Sequence, residues 1–92
     1  MTYIIVTVFQ VVFTDIARKQ YNDLNPRLRR QVDKGLDRIA RQPCLGKPLR
    51  GQLKGIWSER VATFRVLYKI RDEEIEVLVL TIEHRKSVYG GH

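Results

Sequence analysis

The sequence predicts an α+β fold of order β-α-α-β-β-β, a helical hairpin packed on one face of a small, mainly antiparallel sheet. Three observations carry this expectation. An apolar, β-branched run opens the chain, a cap-and-proline boundary introduces an apolar stripe at helical spacing, and three strand-like runs separated by short gaps close it.

Residues 3–12 are rich in Ile, Val and Phe and read as a largely buried first strand. Thr14 offers an N-cap, and Ile16, Ala17, Tyr21 and Leu24 form one stripe of a short helix. Asn25-Pro26 ends that helix and starts the next, with Asn25 as cap and Pro26 in the first turn. Leu28, Val32, Leu36, Ile39 and Ala40 recur on one face of the second helix, while Arg27, Arg29, Arg30, Lys34, Arg38 and Arg41 take the others. The helical arginines read as docking or solubility charge. Pro43 ends the segment. Residues 43–55, PCLGKPLRGQLKG, read as a connector with a short extended piece around Leu49. Runs 56–61, 64–70 and 75–83 then form an antiparallel meander.

Composition narrows the function. A chain of 92 residues with 43% hydrophobic and 29% charged side chains is that of one folded domain, taken here as residues 1–92. The net charge of +7, spread over both halves, points to nucleic acid, an anionic surface or an acidic protein partner. Cys44 is the single cysteine and has no internal disulfide partner. The opening apolar run is too short to span a bilayer, is interrupted by Thr7 and Gln10, and lacks the flanks of a signal peptide. The expectation is a cytoplasmic protein with no membrane partner.

A turn at Ala62-Thr63 places Arg60 opposite Arg65, on one side of the sheet. A turn at Asp72-Glu73 then places Arg65 opposite Leu80, with Leu80, Ile82 and His84 on its face. Two opposed arginines destabilise a sheet unless an anion lies between them or each finds Glu59, Glu76 or Glu83. Trp57 reads as a core residue rather than a base-stacking one, and Glu59 alternates to the face away from Arg60.

The strings LRGQLKGIWSERV, FRVLYKI and HRKSVY, in that order after a β-α-α start, resemble the RelE family of toxin–antitoxin ribonucleases. The most specific parts are Pro48-Leu49-Arg50-Gly51 leading to Gly55 and Trp57, then Arg60, Arg65 and Tyr68, then His84-Arg85 with Tyr89. The resemblance implies a toxin that enters the ribosomal A site and cuts mRNA without metal or other cofactor. The RNA's own 2′-hydroxyl attacks the adjacent phosphodiester. It also implies a cognate antitoxin, contact with rRNA, and a hetero-oligomeric complex that binds operator DNA through the antitoxin.

Such a reaction needs a base for the 2′-hydroxyl, cations for the charge at phosphorus and an acid for the leaving 5′-oxygen. By resemblance Arg65 stabilises the phosphate and Arg60 helps to bind it. Arg85 is a further cation, and Tyr89 orients the 2′-hydroxyl or stacks on a base. His84 is a proton-transfer candidate, and Lys54 and Lys86 are candidate RNA-backbone contacts. The chain departs from the family at Ser58, where some members have a lysine, and at Phe64, where tyrosine is common. The base is therefore not identified by the motif. Two other functions are compatible with the same fold: a ParE-like poison of DNA gyrase, and an inactive module that binds antitoxin or nucleic acid.

Overall fold

A computed structural model describes residues 7–84. Its elements are β1 (Gln10–Phe13), α1 (Asp15–Asn22), α2 (Pro26–Arg41), β2 (Lys47–Pro48), β3 (Trp57–Val61), β4 (Phe64–Arg71) and β5 (Glu76–His84). The sheet order is β1-β5-β4-β3-β2. β1 runs parallel to β5 and every other neighbouring pair is antiparallel. The expected order therefore holds, with the two-residue β2 added at one edge.

Both helices begin where the caps predict. The Thr14 hydroxyl accepts from the Ala17 N–H at 3.1 Å, and Asn25 Oδ1 accepts from the Leu28 N–H at 2.9 Å. Pro26 opens α2, where its missing N–H costs nothing. Val32, Leu36 and Ile39 of the α2 stripe are buried in one cluster with Val61, Phe64, Val66, Tyr68, Val77, Val79 and Ile82 of the sheet, and Ala40 is buried as well. At Gly35 the helix backbone lies directly on β3. A Cβ there would stand 2.4 Å from Val61 Cγ1.

Several expectations are corrected. The first strand starts at Gln10 and includes Phe13; residues 7–9 are not strand, and residues 3–6 lie outside the described residues. Phe9 instead donates its N–H to the Ala40 carbonyl, tying the entry of β1 to the end of α2. Ile16 is 62% exposed, so only Ala17, Tyr21 and Leu24 of its stripe meet the core. Arg29 is not a free docking charge. Its Nη2 donates to the Asn22 and Leu24 carbonyls, both at 3.1 Å, and its guanidinium lies 5.4 Å from the Tyr21 ring centroid. It closes the end of α1 onto α2.

The largest correction concerns the last hairpin. Val61 pairs with Phe64 across the Ala62-Thr63 turn, as expected, and Ala62 takes the left-handed conformation (φ 53°) that the tight turn demands. Arg71, however, pairs with Glu76 across a four-residue turn, not a two-residue one. Widening that turn by two residues keeps each side chain on its expected face. A bulge then reverses the faces: Tyr68 pairs with Val79 but Leu67 with Thr81, leaving Leu80 as the extra residue. Beyond it Arg65 pairs with Glu83, not Leu80, while Ile82 and His84 fall on the helix-packed face. Two α1-side residues stabilise the bulge. The Thr14 hydroxyl donates to the Leu80 carbonyl at 2.7 Å, and Gln20 Oε1 accepts from the Ile82 N–H at 2.7 Å.

Candidate active site

The helix-free face of β2, β3 and β4 carries the candidate site. The tight turn sets Arg60 and Arg65 directly opposite each other, and cross-strand partners lie with Cβ atoms about 4.5–5.5 Å apart. Lys47 is set opposite Ser58 by the β2–β3 pairing and shares that face. Between residues 45–47 of the connector and Ser58, Glu59, Arg60 and Arg65 lies an open pocket of about 410 Å³. Three of its lining residues, Lys47, Arg60 and Arg65, are cationic, while Glu59 pairs with Val66 and so directs its side chain to the helix-packed face.

The connector wall is held from beneath by Tyr68, a fully buried residue of β4. Its hydroxyl donates to the Pro43 carbonyl at 2.6 Å and accepts from the Gly46 N–H at 3.2 Å. Burial pushes this phenol up to about 12 from the usual 10.0, against the opposing pull of the Gly46 N–H. Gly46 packs so closely that a Cβ would meet the Tyr68 hydroxyl at 2.6 Å and the Ser58 carbonyl oxygen at 2.7 Å.

Neither arginine has a counter-charge among the described residues. Among the described residues the ion pairs are Arg41–Asp37, Arg71–Glu74 and Arg71–Glu76, and none involves Arg60 or Arg65. Glu83 lies across the strand from Arg65 without forming one. Arg65 Nε and Thr81 Oγ1 are buried with no hydrogen-bond partner among the described residues. An unsatisfied buried donor costs about 1–3 kcal/mol, so Arg65 is held in this position at the expense of stability. Phosphate matches the guanidinium in charge and in fork geometry.

The sequence-predicted residues separate into groups. Arg60 and Arg65 come together. His84 does not join them: it pairs with Phe64 on the helix-packed side, its ring edge-on at 5.3 Å from that of Phe64. Lys54 is exposed in the glycine-rich turn between β2 and β3 and does not line the pocket. Trp57 is half-buried against the core opposite Tyr68, as expected. Arg85, Lys86 and Tyr89 lie outside the described residues. Sequence reasoning missed Lys47, because two residues of strand inside a Pro/Gly connector leave no periodicity to read. The signal available was the extended piece expected near Leu49, whose N–H donates to the Ile56 carbonyl at 2.8 Å.

Comparison with known proteins agrees with this architecture. A family model described as the ParE toxin of the type II toxin–antitoxin system matches residues 11–89. Toxin RelG of Mycobacterium tuberculosis (strain ATCC 25618 / H37Rv) is 40% identical over 83 residues, covering 88% of this chain and 95% of the relative. The crystal structure of the toxin–antitoxin complex RelBE2 from the same species contains a chain 38% identical to this one. It superposes with a TM-score of 0.79 over 86% of this chain and 93% of that one. The isolated E. coli RelE toxin superposes with a TM-score of 0.73 at 24% identity, over 90% of this chain and 93% of that one, a likeness of fold. The chain belongs to the RelE/ParE superfamily of type II toxin–antitoxin toxins, as a RelE-type member. Among the described residues no helix is long and apolar enough to cross a membrane.

Proposed function

We propose that the protein is a ribosome-dependent endoribonuclease that cleaves mRNA in the A site and so arrests translation. The observation that carries this reading is the Arg60–Arg65 pair, two guanidiniums directly opposed on the helix-free face with no ion-pair partner among the described residues. A phosphodiester at this place relieves their repulsion and gives Arg65 an acceptor. As the 2′-hydroxyl attacks phosphorus, charge builds on the non-bridging oxygens and Arg65 stabilises it, with Arg60 helping to hold the phosphate. The 5′-oxygen departs with a proton, leaving a 2′,3′-cyclic phosphate. RNA is required because the nucleophile is the hydroxyl that DNA lacks.

Arg85 and Tyr89 enter the proposal through the resemblance, as a cation near the phosphate and a group that orients the 2′-hydroxyl. Lys54 and Lys86 enter as backbone contacts outside the reacting centre. His84 enters as a proton-transfer group at the end of β5. Its ring lies on the Phe64 side, so it reaches substrate around the strand end rather than across the arginine face. A cognate antitoxin is the expected protein partner, since a relative of 38% identity is found in a toxin–antitoxin complex. The charge of +7 favours such a partner if acidic, and favours rRNA. Operator binding is expected to reside in the antitoxin.

A ParE-like action on DNA gyrase is the second reading, favoured by the family model's description. Cell-free translation with primer-extension mapping separates the two. The nuclease reading expects cuts at ribosome-bound codons and unimpaired gyrase supercoiling. Inhibited supercoiling without cuts would replace it by the second reading, and neither effect would leave a binding module.

A further inference from the structure

We infer that Lys47 is a third cation of the phosphate pocket, contacting the RNA backbone beside Arg60 and Arg65. The choice of RNA as ligand rests on the nuclease reading; the anion site itself rests on geometry alone.

Lys47 pairs with Ser58, two positions before Arg60 on β3, so its side chain leaves the sheet on the same side as both arginines. It lines the pocket with them and has neither an ion pair nor a side-chain hydrogen bond among the described residues. Ser58 contributes only a hydroxyl at the centre of this group. Its cross-strand neighbour therefore supplies the charge that position lacks.

The lysine is held in place through its backbone. On one side, the Tyr68 hydroxyl fastens Pro43 and Gly46, and Gly46 fits against the Ser58 carbonyl with no room for a side chain. On the other, the Leu49 N–H is bonded to the Ile56 carbonyl. Arg50 and Lys54 are as basic and likewise exposed, yet neither lines the pocket. The three cations differ usefully in chemistry. Guanidiniums grip a phosphate in fixed planes, whereas an ammonium on a flexible stem follows it as a point charge.

The test measures binding and cutting separately. Binding of a short fluorescein-labelled single-stranded RNA is followed by anisotropy over a range of salt concentrations, using the full chain. Loss of one phosphate contact flattens the slope of log affinity against log salt by about 0.7 for single strands. Lys47→Ala is expected to show that change with roughly tenfold weaker binding, and Lys47→Arg to restore it. Lys34→Ala, which removes an equal charge from the exposed side of α2, is expected to keep the wild-type slope. Retention of the full slope by Lys47→Ala, an equal loss in Lys34→Ala, or absence of RNA binding by the wild type overturns the inference. If binding depends on Lys47 but ribosome-bound mRNA is never cut, the lysine site stands and the nuclease reading falls.

Discussion

Arg60 and Arg65 face each other across the β3–β4 ladder, one exposed and one half-buried, and neither is neutralised by a carboxylate among the described residues. Directly opposed like charges destabilise a sheet by ~0.2–1 kcal/mol. Arg60→Ala is therefore expected to stabilise the free protein by about that amount while weakening cleavage, and Arg65→Ala to abolish cleavage. Urea denaturation and primer extension on the same preparations check both. An Arg60→Ala protein that is less stable than wild type contradicts the repulsion argument, and an Arg65→Ala protein that cuts normally contradicts the site.

Tyr68 gives the fold a pH dependence of known sign. Its folded pKa is raised, chiefly by burial, so the folded state prefers the neutral phenol. The associated stability is fully present below the unfolded value of 10.0 and is lost as pH rises towards about 12. The loss over that window amounts to about 2–3 kcal/mol. Tyr68→Phe leaves the Gly46 N–H and Pro43 carbonyl without this partner and costs about 1–3 kcal/mol at neutral pH. Its stability should then fall less between pH 10 and 12 than that of wild type. Parallel curves for the two proteins would show that Tyr68 is not the group responsible.

Arg29 distinguishes structural charge from docking charge on α2. Removing it frees the Asn22 and Leu24 carbonyls and uncovers Tyr21, so Arg29→Ala is expected to destabilise by about 1–3 kcal/mol. Arg29→Lys keeps the charge but not the planar fork, and should recover only part of the loss. Arg38→Ala, at an exposed position on the same helix, should stay within about 0.5 kcal/mol of wild type. Equal midpoints for Arg29→Ala and Arg38→Ala in thermal melts would return Arg29 to the docking class.

Gly35 tests the contact that seats α2 on the sheet. Alanine there drives a methyl into Val61, and overpacking of this kind costs about 1–3 kcal/mol. Val61→Ala makes room for it. The double variant Gly35→Ala/Val61→Ala should consequently lose less stability than the two single losses added together. Strict additivity in chemical denaturation would show that the helix shifts away instead of clashing.

Sequence logic held wherever the governing contacts are local. Thr14 and Asn25 cap helices through N–H groups three residues away, and the α2 stripe needs only a constant helical period to meet one face of the sheet. The Ala62-Thr63 turn is two residues long, so once both flanking runs are strands, Arg60 has no partner but Arg65. The β-α-α-β-β-β order follows from the same short-range signals.

What tertiary structure decided lies beyond that range. The bulge at Leu80 inverts every later side chain of β5, moving His84 away from Arg65 and bringing Glu83 to it. Its polar groups are satisfied by Thr14 and Gln20, 66 and 62 residues distant in sequence. Lys47 joined the arginines for a similar reason, because β2 exists only through pairing with β3 and anchoring by Tyr68 from β4. Periodicity and caps determined which elements form and which two arginines meet. Long-range hydrogen bonds determined which other side chains share their face, since a single added residue in a strand costs little locally and reverses everything after it.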